Sequence, residues 1–336
     1  GGDMRRGLLS WDETEVPAGV LDARVEKLRA AMVEAGLDAL LLYNNFPRPA
    51  AVSWLTHFIP YWSQGVLVLP ATGAPEYFVS LSKRVAGWID ETSHMGEIVS
   101  TPRLGADLAK RLEGSKRIGV LELNKLPGGI AHPLLSGLSG VELVDATDMY
   151  RAVRHPADAT EIAVSRKAAT LARDCLNGAF ENAAYAQTGP LTAAIEGPAR
   201  LAGAEEVIVE FAADLDQNAA LRRIDGNLDL GARYALRVSL AYKGHWIRIG
   251  RTDGTERLDD WIASSLTAIL DGDTVPGLGA PDVTLEACMG SAPLTEVQAL
   301  PNGAVGVANL TLSVGGQTHL VSIPVLNEDG TVALLI

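Results

Sequence analysis

The sequence predicts an α/β domain followed by an α+β domain with a curved antiparallel sheet. Three observations carry that expectation. The chain has 336 residues, more than one domain usually holds. Up to about residue 150, short apolar runs alternate with helical segments, the pattern of a mixed sheet covered by helices. Beyond "RAVRHPADATEI" (151–162), two helices are followed by strands, a helix and more strands. The predicted domains are therefore 4–153 and 157–336.

Residues 21–36 place Val25, Leu28, Met32 and Ala35 along one side of a helix that Gly36 ends. "DALLLY" (38–43), "GVLVLP" (65–70), "EYFVS" (76–80) and "IGVLEL" (118–123) read as strands. Helical segments near 82–92, 105–113 and 128–137 separate some of them. Pro156 breaks the element before it, and Asp158 or Thr160 can cap a long helix to about Tyr185. A second helix fits 190–203. Strands at 206–213, 232–242 and 245–252, a helix at 257–270, and strands at 303–313, 317–326 and 331–336 complete the chain.

Composition narrows the function. Hydrophobic residues make up 47% and charged ones 21%, ordinary for a globular protein with a core. The net charge of −13, from 41 acidic and 28 basic residues, argues against nucleic acid and anionic membranes as partners. A small basic pocket is still compatible with it. No apolar run approaches the ~18 residues of a membrane span, and no signal peptide is read at the start. Gly-Gly-Asp before Met4 reads as a cloning remnant. Cys175 and Cys288 are far apart and lack metal-type spacing, which predicts a reduced, cytoplasmic setting and two buried hydrophobes.

One hairpin stands out. In "RVSLAYKGHWIRIGRT" (237–252), Val238, Leu240, Ile247 and Ile249 alternate as in half-buried strands. A turn centred on Tyr242 and Lys243 would set Arg237 opposite Arg248, a like-charge pairing that costs a few tenths to about one kcal/mol. Two readings follow. Both arginines reach solvent or pair with structural carboxylates such as Glu210; or, with Arg251, they form a cationic cleft for a carboxylate or phosphate. His245 and Trp246 beside the turn either line that cleft or sit in the core or at its rim.

The other histidines, His57, His94, His132, His155 and His319, show no ligand spacing. No G-x-S-x-G or cysteine nucleophile motif is present, and "GLGAPD" (277–282) reads as a loop. The acidic stretch "GAEEVIVEFAADLD" (203–216) reads as a solvated sheet edge.

The element order and several phrases resemble the pita-bread family of creatinase, prolidase, aminopeptidase P and methionine aminopeptidase. "RVEKLRAAMVEAGLDALLL" (24–42) and "AVSWLTHF" (51–58) are similar to the creatinase-type N-terminal domain. "EIAVSRKAATLA" (161–172) is similar to the first helix of the pita-bread domain. "GARYALRVSLAYKGHWIRIGRT" (231–252) follows the pattern G-D-x-V-x-x-D-x-G-x-x-Y-x-G-Y-x-x-D-x-T-R-T at Gly231, Tyr242, Gly244, Arg251 and Thr252. The resemblance implies a creatinase-like N-terminal α/β domain and a trimmed pita-bread α+β domain.

It also implies a lost metal site. Peptidases of the family hold two metal ions with two Asp, one His and two Glu. Aligned by spacing, the Asp positions are Arg237 and Arg248. "NGAVGVANL" (302–310) puts Asn309, and "THLVSIPVLNEDG" (318–330) puts Val321, where the Glu residues belong. No G-H-G-I-G segment supplies the His, and the stretch between the 257–270 helix and Asn302 is too short for one. Divalent ions need several oxygen or nitrogen ligands converging on a point, which two guanidiniums, an amide and an aliphatic chain do not offer. The creatinase histidine falls near Gln217, which cannot act as a general base.

The expectation is a metal-independent, non-peptidase member without a cofactor. It binds a small anionic molecule through Arg237, Arg248, Arg251, Asn309, Gln217 and His245, or pairs as a homodimer or with a related active subunit. No catalytic residue is assigned. Tyr61 and Trp62 follow a position that in relatives faces the dimer partner, so they are interface anchors or core residues. One alternative is a metal-independent C–N hydrolase or lyase acting on a small carboxylate or guanidino compound. The other, an Xaa-Pro-type metallopeptidase, requires every ligand strand to be misaligned.

Overall fold

A computed structural model describes residues 11–254 and 257–336; the Gly-Gly-Asp-Met stretch lies outside them. The chain divides into two units, one running to His155 with Cys288–Pro293, the other spanning Pro156–Ala287 and Leu294–Ile336. Among the described residues no helix is long and apolar enough to cross a membrane. Cys175 and Cys288 form no disulfide, and each is partly exposed where the sequence reading expects a buried hydrophobe.

The first unit runs α1 (Ala18–Glu34), β1 (Ala39–Asn44), α2 (Ala50–Thr56), β2 (Gly65–Pro70), β3 (Glu76–Val79), α3 (Ala86–Thr92) and β4 (Glu97–Ser100). It continues with α4 (Leu104–Arg111), β5 (Arg117–Val120), α5 (Gly128–Gly137), β6 (Glu142–Asp145) and α6 (Thr147–Arg154). The sheet order is β4-β3-β2-β1-β5-β6, with β1 antiparallel to β2 and parallel to β5. Strand β1 explains its own apolar run. Leu40 and Leu42 enter one core with Leu28, Met32 and Trp54, while Leu41 enters the other with Val66, Leu108 and Ile118. A strand buried on both faces loses polar alternation. Ser291, from the segment grouped here, hydrogen-bonds buried Glu122 and accepts the Ala50 N–H at 2.9 Å.

The second unit opens with α7 (Ala159–Asn182), where the Asp158 carboxylate accepts the Glu161 N–H at 2.8 Å, the cap the sequence suggests. Then come α8 (Thr188–Leu201), β7 (Glu206–Ala212), β8 (Arg222–Arg223), β9 (Tyr234–Tyr242), β10 (His245–Asp253) and α9 (Asp259–Asp271). Strands β11 (Asp282–Ala287), β12 (Thr295–Val297), β13 (Val305–Val314), β14 (Gln317–Glu328) and β15 (Thr331–Leu334) close the chain. They form one nine-stranded sheet, β12-β11-β13-β14-β10-β9-β7-β8, with β15 on β14. Its strand pairs are antiparallel. Helix α7 packs on β9 and β10, and α8 on β7, which leaves the opposite face of the sheet to polar side chains.

Two expectations need correction here. Strands β11 and β12 lie between the loop read at 277–282 and Asn302, where the sequence predicts no strand, because Glu286 and exposed Asp282 break the apolar pattern. The β9–β10 register also differs. Tyr242 pairs with His245, so Arg237 faces Gly250 and Arg248 faces Ser239. The turn is therefore Lys243-Gly244, both at positive φ (48° and 78°), the conformation whose twist suits two-residue hairpins. The arginines share a face but stand diagonally, which removes the direct like-charge pairing.

Candidate functional site

On the face away from α7, six strands bring polar side chains together at one level. Pairing across the sheet lines up Glu210 with Arg237, Ser239 with Arg248, and Gly250 with Ser322, Asn309 and Thr284 in turn. Glu286 lies two residues from Thr284, so the period of two puts it on the same face.

These groups form a closed network. Arg237 donates from Nε to Glu210 Oε2 at 2.8 Å, with Nη2 at 2.7 Å from the same oxygen. Its Nη1 reaches Asn309 Oδ1 at 3.4 Å. Arg248 donates from Nε to Ser239 Oγ at 3.1 Å and from Nη1 to both Glu286 oxygens, 2.6 Å to Oε2. Asn309 joins the halves, giving its Nδ2–H to Glu286 Oε2 at 2.9 Å and accepting from Ser322 Oγ at 2.7 Å. Gly250 makes room for the crossing, since a Cβ there would sit 3.1 Å from Leu236 O and 3.2 Å from Ser322 Oγ.

Two guanidiniums meet two carboxylates, so the cluster is neutral. Side-chain exposure is 17% for Arg237 and 21% for Glu210, 24% for Arg248 and 14% for Glu286. Charges withdrawn this far from water are held only when paired, and here each has its counter-ion. A dinuclear metal centre does not fit this donor set. Its two carboxylates are engaged by cations, and a divalent ion would meet two positive charges. Among the described residues, no three His, Cys, Asp or Glu side chains converge as ligands.

The sequence-predicted site residues fall into two sets. Arg237, Arg248 and Asn309 come together. Arg251 does not, because it lies three positions from Arg248 and the alternation turns it to the helix face. There it pairs with Asp253 at 2.6 Å and lies 4.0 Å from the Phe180 ring centroid. His245 shares that parity, and its Nδ1 meets Lys243 O at 3.0 Å. Gln217 is exposed in the loop after β7, its N–H bonded to Asp214 O at 3.1 Å. Val321 is displaced from the site by its neighbour. It pairs with Leu310, and Ser322 is the β14 residue opposite Asn309.

Glu286, Ser239 and Ser322 were missed. Parity was the available signal for the serines, while Glu286 needed β11 to be seen first. Beside Arg237 a cavity of about 190 Å³ is lined by Leu221, Asp282, Thr284, Asn309, Thr311 and Ser322, among others. The unit's buried turn carboxylate is Glu205, which accepts the Lys243 and Gly244 N–H groups at 2.9 and 2.5 Å. Burial pushes its pKa up to about 7, against the pull of those hydrogen bonds.

Comparison with known proteins agrees with both units. Residues 24–155 match the Creatinase/Prolidase N-terminal domain family. The prolidase from Pyrococcus horikoshii superposes with a TM-score of 0.66 at 16% identity, over 93% of this chain and 97% of that one. The Xaa-Pro dipeptidase from Bacillus anthracis gives 0.65 at 16%, over 94% and 97%. The N-terminal domain of the FACT complex subunit SPT16 from chickpea, Cicer arietinum, gives 0.60 at 14%, over 94% and 96%. No curated protein sequence matches. At these identities the likeness to solved structures is one of fold.

Proposed function

Since residues 24–155 match the Creatinase/Prolidase N-terminal domain family and the chain carries the fold of solved prolidases, we propose that it is a metal-independent, non-peptidase member of that family acting by association. One observation carries this reading. The Glu210–Arg237–Asn309–Glu286–Arg248 network fills the face on which the family's alignment sets its metal ligands. The anion that two arginines call for is supplied internally, by Glu210 and Glu286, so the site is filled in by its own side chains. The association proposed is a dimer, with itself or with a related subunit. An exposed aromatic patch supports it: Trp62, 65% exposed, stacks on Trp88 at 5.2 Å, and Phe46, 43% exposed, meets Tyr61 at 5.6 Å. Exposed aromatic anchors are the usual centre of an interface.

A second reading, a metal-independent enzyme for a small carboxylate or guanidino compound, draws on the cavity beside Arg237. There Asp282, Thr284 and Thr311 join Arg237, Asn309 and Ser322 in lining a largely polar recess. One assay separates the readings. The purified protein is supplied with Mn²⁺ or Co²⁺ and offered Xaa-Pro dipeptides, then creatine and related guanidino acids. We expect no turnover and no metal-dependent rise in melting temperature. Metal-dependent dipeptide hydrolysis overturns the proposal in favour of a peptidase; metal-free turnover of a guanidino acid favours the second reading.

A further inference from the structure

The helix-covered face of the second unit carries a cavity of about 510 Å³, within the ~300–1,000 Å³ typical of ligand pockets. It lies where the C-terminal end of α7 meets the paired residues Tyr234 of β9 and Asp253 of β10. Three aromatic side chains line it, Phe180, Tyr185 and Tyr234, together with Glu181 and Asp253. Among the described residues no Lys, Arg or His does.

The electrostatics of this lining favour a cation. Asp253 is paired with Arg251 at 2.6 Å, but exposed Glu181 has no counter-ion among the described residues. The C-terminal end of a helix carries partial negative charge, and α7 has no basic residue in its last turn to meet it. Tyr234 adds an independent sign of an occupant. It is only 9% exposed, and its hydroxyl makes no hydrogen bond among the described residues yet is not sealed inside protein. Buried phenols normally have a partner, so this oxygen fronts the cavity as an open acceptor. Phe180 already seats one cation, the Arg251 guanidinium, 4.0 Å from its ring centroid.

We propose that this cavity binds a methylated ammonium ion, its positive surface against the Tyr185 and Tyr234 rings and its charge balanced by Glu181. Aromatic rings attract cations over their faces. A fully methylated ammonium has no N–H to satisfy, whereas a primary ammonium asks for an acceptor for each of its donors, which a largely aromatic lining does not supply. The site is on the opposite face from the ion cluster and stands whether or not that cluster is inert.

Calorimetric titration of the full chain, with chloride matched throughout, tests this with choline, its uncharged tert-butyl analogue and ethanolamine. Choline should bind one to one, and the analogue and ethanolamine should each bind at least about tenfold more weakly. Tyr185→Ala, at a half-buried loop side chain, should weaken choline about tenfold, and Glu181→Gln about threefold, with circular dichroism spectra unchanged. A peptide carrying trimethyllysine identifies the source of the ion. Tighter binding than choline assigns the cavity to a modified side chain, and weaker binding assigns it to a free small ion. No binding of choline at ~10 mM, equal affinity for the uncharged analogue, or full binding by either variant would each overturn the proposal. Should Tyr185→Ala fail to fold, the choline–analogue comparison and Glu181→Gln still decide.

Discussion

Arg237 is held by three contacts, two to Glu210 and one to Asn309. Removing it as Arg237→Ala strands Glu210 in a site where that carboxylate is only 21% exposed. We expect a loss of about 2–3 kcal/mol, below the ~3–5 of a fully buried pair because both groups keep some water. The double change Arg237→Leu with Glu210→Leu should recover most of that loss, since a neutral pair leaves no charge behind. Urea melts of the three variants check this; a double variant as unstable as the single one means that the ion pair itself is needed. Arg251 was misplaced at the sequence level for a simple reason. Three positions from Arg248 is an odd step, and period two sends it through the sheet.

The β9–β10 turn is the element with the sharpest pH signature. Glu205 is 6% exposed and its pKa is raised to about 7, whereas an unfolded Glu titrates near ~4.3. The native state therefore holds a proton that the unfolded state has lost. Its contribution is full below the unfolded pKa and falls, by on the order of 3 kcal/mol, as pH rises from about 4.5 to about 7. His319 slopes the other way below its ordinary value, because burial and Arg233 lower its pKa. The difference between wild type and Glu205→Gln isolates the carboxyl. Stability measured at pH steps across that window should decline for wild type relative to the variant; parallel curves mean Glu205 is not the titrating group. The turn itself explains the register error, since a lysine at φ 48° gives no sequence cue of the kind Asn-Gly would.

At the scale of the whole molecule the predicted order of helices and strands matches the structure wherever pattern and caps coincide. Asp158 starts α7, and Gly315-Gly316, both at positive φ, turn β13 into β14. Short strands at sheet edges, β4 and β6, were not legible, because both are partly exposed and bounded by polar or charged residues, so neither makes an apolar run. The site was half legible. Arg237 and Arg248 are legible from the hairpin pattern and Asn309 from the family resemblance, but Glu286 comes from a strand whose pattern mixes charged and apolar residues. The proposed dimer gives the molecular-scale prediction. Light scattering at about micromolar concentration should report two chains, and Trp62→Ser, at a side chain 65% exposed, should shift the species toward one. A dimer unaffected by Trp62→Ser would place the interface elsewhere.

The closed ion cluster has a consequence for the paths open to this sequence. Each arginine is now the counter-ion of a carboxylate on a neighbouring strand, Glu210 for Arg237 and Glu286 for Arg248. A single Arg237→Asp change does not return half a metal site; it sets two carboxylates against each other on paired residues, where like charges repel. Arg248→Asp meets the same obstacle at Glu286. Each of these single changes runs uphill in stability, so the cluster acts as a ratchet. Building cation affinity on this face takes coordinated replacement on several strands at once.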